Sequence, residues 1–586
     1  CIIYLFHQNF FMSYPDWFVL VITLAVIILY GVYKSRTTRN LDGYFLSNRE
    51  MPWYIVLFSI MGTQASAITF LSAPGQAYTD GMRFVQYYFG LPLAMIVLCV
   101  TFVPIFHNFR LYTAYQFLEK RFDVKTRTLT SFLFLLQRGL STGISIYAPA
   151  IILSSLLGWN IYWTNIFMGG LLIIYTVAGG ARAVAYTQQL QIVIIFASMF
   201  IAGWLVVKYL PEGVGIFDAL KIGGAMGKTN VITTGVQEGG GFNWNDKYNL
   251  WSGIIGGFFL ALSYFGTDQS QVGRYLTAKS IRESRMGLLM NGLVKVPMQF
   301  LILMLGVLIF AFYQFHDAPL FFNQTQVQKV SDSKYAASLS EIQGNYQAVD
   351  LQKKQLVQSI AASGTADISV ENRAELSRIN QQRDSLRTAF KGLVEKPEVG
   401  GDSNDANYIF LRFVLDYLPK GLIGLLIAVI FISSWGSIAA ALNSLASSTI
   451  VDIHKKFINK NLDDAGDYRV ARWYTLAWGI FCIIVAQFAY NLGNSLIEAV
   501  NILGSLFYGV ILGVFLLAFY SRPVKGNAVF WGAILGEALV ISLFLLNEHK
   551  VINLSFLWLN AIGALAVVLI GWLLQLSIFS RQAVQH

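Results

Sequence analysis

Residues 61–75 read Met61-Gly62-Thr63-Gln64-Ala65-Ser66-Ala67-Ile68-Thr69-Phe70-Leu71-Ser72-Ala73-Pro74-Gly75, and residues 263–271 read Ser263-Tyr264-Phe265-Gly266-Thr267-Asp268-Gln269-Ser270-Gln271. Both lie inside apolar stretches long enough to cross a bilayer. Hydroxyls, amides and an acid at that depth cost free energy unless they pair or line a cavity. Glycine and proline there permit a helix break, which frees carbonyl and amide groups for contact with ions and solutes. The two stretches are the second and the seventh of thirteen candidate spans, five apart. Interrupted helices at matching positions of two five-helix halves are the mark of an inverted-repeat carrier. Small residues serving close helix packing are the alternative, but packing leaves Gln64 and Asp268 together unexplained.

The rest of the chain agrees with a polytopic membrane protein. Of 586 residues, 55% are hydrophobic and 13% charged, and the mean hydropathy is +0.55. A soluble chain carries about 25% charged residues, so a soluble enzyme and a disordered chain are both excluded. Three cysteines, Cys1, Cys99 and Cys482, exclude a disulfide scaffold. The net charge of +10 is read as loop lysine and arginine rather than as a nucleic-acid surface. The spans are expected near 15–34, 52–77, 82–107, 128–157, 160–178, 186–209, 250–272, 287–314, 419–450, 472–490, 493–520, 527–546 and 555–577. One set of loops carries 22 basic residues and the alternate short loops carry 6. That asymmetry puts the N-terminus outside and the C-terminus in the cytoplasm of a plasma (inner) membrane protein. Met12-Ser13-Tyr14-Pro15 reads as a natural start, so the chain is expected to be a fragment or to carry residues 1–11 as an upstream extension, and no cleavable signal peptide is read there.

Residues 315–418 form a long polar outer segment. Leu339, Ile342, Tyr346, Val349, Leu356 and Ile360, then Leu376, Ile379, Leu386, Phe390 and Leu393, keep a 3-4 spacing on either side of Gly364 and Asp367. The spacing predicts an outer helical hairpin, either a surface decoration or a docking site for an envelope partner. In the ninth span Ser433, Ser434, Ser437, Ser444, Ser447 and Ser448 either supply oxygen ligands to a small cation or bond to their own helix. No metal cluster, nucleophile triad or phosphate loop is present, so no enzyme is read.

Several segments resemble, in order, those of the sodium:solute symporters. Asp42-Gly43-Tyr44-Phe45-Leu46 resembles that family's first cytoplasmic loop, and Ser66 to Pro74 its first repeat helix. Thr113 to Phe122, Gln271 to Leu276, and Leu442-Asn443-Ser444 with Asp452-Ile453 resemble further family motifs. The resemblance implies an all-α, LeuT-type inverted repeat of five plus five helices, with about 13 transmembrane helices in all. The expected organisation is 1–51 for a peripheral helix and loop, 52–210 for the first repeat, 250–520 for the second with 315–418 inserted, and 521–586 for peripheral helices.

The resemblance also implies sodium-coupled symport of a small organic solute, such as a sugar, sialic acid, vitamin or monocarboxylate, by alternating access. Sodium, the coupling ion, is expected at the carbonyls of Gly62, Ala65 and Ser433 and the hydroxyl of Ser437. Two departures weaken that site: Gly436 stands where relatives have a hydroxyl, and Gln188 where they have an acid. Solute is expected near Gln64, Thr69, Tyr88, Tyr264 and Asp268, with Lys295 matching a lysine of sugar carriers. Arg138 either binds a carboxylate or reaches to an interface. The expected partners are the solute, sodium and the lipid bilayer. The rival readings are a proton-coupled carrier using Asp268, an uncoupled carrier, and a sensor on a carrier fold.

Overall fold

A computed structural model describes residues 12–35, 41–237, 239–362, 368–459, 464–489 and 496–579. Among these the chain is helical, with only two isolated β-bridges. The helices used below are α1 (Tyr14–Ser35), α2 (Trp53–Gln64), α3 (Ala67–Asp80), α4 (Met82–Asn108), α5 (Val124–Leu157), α6 (Ile161–Lys208), α7 (Ser252–Thr267), α8 (Gln269–Tyr275), α9 (Ile281–Phe315), α10 (Ala336–Ala362), α11 (Val370–Val394), α12 (Ala406–Tyr417), α13 (Leu422–Ser448), α14 (Asp464–Gln487), α15 (Leu496–Tyr520), α16 (Gly526–Glu548) and α17 (Phe556–Ser577).

Nine helices of the described residues are long and apolar enough to cross a membrane, or ten if the bent pair α2–α3 is counted as one span. Three further expected spans fall outside that criterion. Ile161–Val177 and Ser252–Thr267 are apolar but short. Helix α5 is long, but it carries Gln137, Arg138 and a run of hydroxyls through its middle. Residues 160–178 and 186–209, expected as two spans, belong to one stretch of helical backbone, α6. Tyr175 Oη and Thr187 Oγ1 are nonetheless 2.9 Å apart. Twelve residues of straight helix would separate their backbones by about 18 Å, so the chain turns back sharply between them.

Both expected helix breaks are present. The first follows Gln64: Ala65 (φ −83°, ψ 78°) and Ser66 (φ −80°, ψ 174°) leave helical geometry, and α3 resumes at 59° to α2. The second is at Asp268, which is extended (φ −76°, ψ 116°) and caps α8 by accepting from Ser270 N at 2.8 Å. Such a cap satisfies one of the donors left open at a helix start. Small residues let these helices close in. A Cβ on Gly75 would stand 1.9 Å from the carbonyl oxygen of Ala406, so only glycine admits the α3–α12 contact.

The expected hairpin is formed by α10 and α11, with Leu339, Tyr346, Ile360, Leu376, Ile379 and Phe390 buried along its seam. Gly364 and Asp367 lie outside the described residues. The seam also holds charge, which the apolar spacing does not reveal. Lys353 Nζ donates to Asp350 Oδ1 at 2.7 Å and to the carbonyl of Tyr313 at 2.6 Å. Arg387 forks onto both oxygens of Asp405 at 2.9 and 2.7 Å. These bonds fasten the hairpin to the end of α9 and to the approach to α12.

Candidate functional site

A cavity of about 130 Å³ lies between the first break and α5, α7, α13 and α15. Cavities near 150 Å³ accept a benzene-sized molecule, so in this conformation there is room for a compact solute. Gln64 and Thr69 from the first break line it, as do Tyr88 and, from α7, Tyr264. Thus four of the six expected solute residues share one wall.

The other two do not reach it. Asp268, expected to face the cavity, is 1% exposed and absent from the lining. Its carboxylate is spent on neighbours. Oδ1 accepts from Ser270 N and Oγ, and Oδ2 pairs with Arg138 and accepts from Tyr508 Oη at 2.8 Å. Lys295 is wholly buried. Its ammonium stands 5.5 Å from the centre of the Tyr88 ring, with Tyr88 rather than the lysine facing the cavity. Lys295 falls on one face of α9 with Asn291 and Gln299, four residues to either side and equally buried.

Arg138 is the cation that the cavity meets. It lines the wall, lies over the Tyr264 ring at 5.4 Å, and gives one terminal nitrogen to Asp268 and to Tyr508 Oη, the latter at 3.1 Å. Its Nε has no partner among the described residues. The remaining wall comes from α15, through Ile497, Asn501, Gly504 and Tyr508. Asn501 Oδ1 accepts from Tyr87 Oη at 3.1 Å across the cavity. Sequence reasoning left α15 out, although these four residues recur at i, i+4, i+7 and i+11 with two polar members, the pattern of a single helix face.

The residues expected to hold sodium lie around the crossing of α2 with α13. Ser437 lines the cavity beside Thr63, Gln64 and Ser66. Its hydroxyl donates to the carbonyls of Ser433 and Ser434, each at 3.1 Å. Gly62 and Gly436 both abut Gln188: a Cβ on Gly62 would meet Gln188 Cγ at 2.8 Å, and one on Gly436 would meet it at 3.2 Å. Gln188 is buried and fully bonded. It accepts from Ser59 Oγ at 2.8 Å and donates to Thr63 Oγ1 and to the Gly436 carbonyl, both at 3.1 Å. An amide N–H cannot ligate a cation, so this side chain ties α2, α6 and α13 together without adding negative charge.

The segment 113–122, one of those that resemble family motifs, closes on the second break and on Asp452. Tyr115 Oη donates to the carbonyl of Thr267 at 2.7 Å, and Gln269 Oε1 accepts from Ala114 N at 3.0 Å, so 113–116 plugs the second break. Asp452 accepts from Thr113 Oγ1 at 2.8 Å and from Arg127 Nε at 2.8 Å.

Comparison with known proteins gives a consistent picture. The description of the sodium:solute symporter family matches residues 44–342 and 389–536, leaving out most of the α10–α11 hairpin. A sodium/sialic acid symporter of Aliivibrio fischeri is 24% identical over 94% of this chain and 90% of its own length. A sodium/glucose cotransporter of Vibrio parahaemolyticus is 23% identical over 93% and 87% respectively. The solved substrate-bound, outward-open structure of a sodium-coupled sialic acid symporter superposes with a TM-score of 0.73 at 21% identity, covering 96% of this chain and 98% of its own. The fold is therefore the LeuT-type inverted repeat.

Proposed function

The chain belongs to the sodium:solute symporter family, whose members carry a small solute across a membrane together with sodium, and we propose that the solute of this one bears a carboxylate taken by Arg138. The observation that supports this reading is the Arg138 guanidinium on the cavity wall. One terminal nitrogen is held by Asp268 and Tyr508, and the guanidinium lies over the Tyr264 ring while the side chain lines the cavity. A guanidinium's planar fork suits a carboxylate, and in a water-poor cavity such a bond is strong. The similar proteins include carriers named for an anionic sugar and for a neutral one, and a charged arginine on the wall favours the anion.

In this reading sodium is held by the carbonyls of Gly62, Ala65 and Ser433 and by Ser437. Solute lies beside it against Gln64, Thr69, Tyr88 and Tyr264, and Lys295 acts through Tyr88 rather than by direct contact. Asp268 is a positioning residue that fixes Arg138 and caps α8. Sodium and solute favour different states only through differential affinity, typically worth about 1–3 kcal/mol. The membrane is the plasma membrane, with the N-terminus and the α10–α11 hairpin outside. The test is competition for sodium-driven uptake in proteoliposomes by matched pairs of an acid and its primary amide. The acid of a productive pair competes and the amide does not. Equal competition by both members of every productive pair, or by neutral sugars alone, would refute the carboxylate reading.

A further inference from the structure

On the cytoplasmic side, a second cavity of about 710 Å³ opens between the turn after residue 46, the foot of α4 and the start of α9. Arg49, Arg110 and Lys279 line it, against a single lining acid, Asp42. Neither Arg49 nor Arg110 has a carboxylate within 4 Å among the described residues. Arg49 is steadied by donating to the carbonyl of Leu111 at 2.9 Å. Lys279 has Glu283 at 3.8 Å and stays half exposed.

The backbone around this cavity is unusual. Five non-glycine residues of the described chain have positive φ, and four of them are here: Ser47 at 52°, Asn48 at 56°, Arg49 at 56° and Arg110 at 47°. Left-handed geometry is costly for residues with a Cβ and persists only where the surroundings enforce it. Here Met51 pairs with the segment before α9: Met51 N donates to the Thr277 carbonyl at 3.0 Å, and Lys279 N donates to the Met51 carbonyl at 3.1 Å. The turn thereby carries Arg49 to the cavity that Arg110 and Lys279 also line. A general excess of basic residues on cytoplasmic loops accounts for their number, not for their convergence on one cavity.

Two further features define the ligand. Ser280 caps α9 at the cavity rim by accepting from Glu283 N, so the positive end of a 35-residue helix adds to the three cations. Further along the same two helices, α4 and α9 leave Val100 and Leu293 69% and 63% exposed, apolar surface of the kind that lipid chains cover.

We propose that this cavity binds a phosphate-bearing anion, the chemistry shared by the headgroup of an anionic phospholipid of the inner leaflet and by free phosphate. Basic pockets between membrane helices on the cytoplasmic side suit such headgroups. The site is separate from the central cavity and does not depend on which solute is carried.

The test uses the full-length protein in neutral phosphatidylcholine and in mixed phosphatidylcholine–phosphatidylglycerol nanodiscs, with lipid retained after detergent extraction counted by native mass spectrometry. The wild type should retain phosphatidylglycerol over phosphatidylcholine, and the double variant Arg49→Gln/Arg110→Gln should lose about tenfold or more of that preference. Lys525→Gln, a cytoplasmic cation outside the cavity, should keep it. Displacement of the lipid by inorganic phosphate would identify a free-anion site, and retention in its presence a lipid site. Lys279→Gln, altering an exposed side chain, carries the test if the double variant does not fold. Equal retention by wild type and cavity variants, or an equal loss in Lys525→Gln, would overturn the proposal.

Discussion

Arg138 brings a cation to the cavity wall, and the first prediction concerns that charge. Arg138→Gln should weaken uptake of the carboxylate solute by about 10- to 100-fold, the range of a lost charge-assisted hydrogen bond. It should also leave the Asp268 carboxylate buried and unpaired, which is destabilising in its own right. The double variant Arg138→Gln/Asp268→Asn removes that second effect. It should recover thermal stability in detergent but not carboxylate uptake, and recovery of both would reduce the pair to a structural tie. Sodium gives the second prediction. Gln188→Asp adds negative charge next to Gly62 and Gly436, and a hard cation gains from it, so the sodium half-saturation of uptake should fall. Gly436→Ser does not help by itself, because its Cβ would stand 2.4 Å from Gln191 Oε1. Melting temperature should drop in Gly436→Ser and return when Gln191→Ala is added.

Among elements, the joint between α5 and the end of α13 is a buried ion pair, Arg127 with Asp452, supported by Thr113. Breaking a buried pair from one side typically costs about 3–5 kcal/mol. Arg127→Ala should therefore lower the melting temperature and expression far more than Arg127→Gln/Asp452→Asn does. Thr113 and Asp452 each lay in a recognisable motif, but nothing in the chain's linear order says that they touch. The same holds for much of the site. The two helix breaks are legible because polar residues, glycine and proline interrupt apolar runs, and the hairpin is legible from its 3-4 spacing. Asp268 was legible as a costly intramembrane acid. Its partner, 130 residues away, was not, so a residue that anchors Arg138 read as a cavity residue. Lys295 was misplaced for a related reason. A helix face can be read from spacing, but the Tyr88 ring between that face and the cavity cannot. The α15 wall is not legible because Asn501 and Tyr508, like Glu498 and Ser505, are scattered polar positions in a strongly apolar helix.

At the scale of the whole molecule, the account requires that the hairpin and the basic cavity lie on opposite sides of the membrane. Val370, at the start of α11 and 85% exposed, is the place to check: Val370→Cys should react with an impermeant thiol reagent applied to intact cells. Labelling only after lysis would reverse the orientation. In the proposed reading the two broken helices, the residues assigned to sodium around α2 and α13 and the arginine on α5 are parts of one device, in which sodium and a carboxylate solute would occupy adjoining places and the halves of the fold would move around them. The central claim is that sodium drives this movement for a carboxylate. It is tested most directly by uptake of radiolabelled carboxylate solutes into proteoliposomes of the purified chain, with an inward sodium gradient, with equal sodium on both sides, and with a proton gradient alone. The account predicts accumulation of at least one carboxylate under the sodium gradient, none above equilibrium with equal sodium, and loss of accumulation in Arg138→Gln. Accumulation that follows the proton gradient and is indifferent to sodium would contradict it.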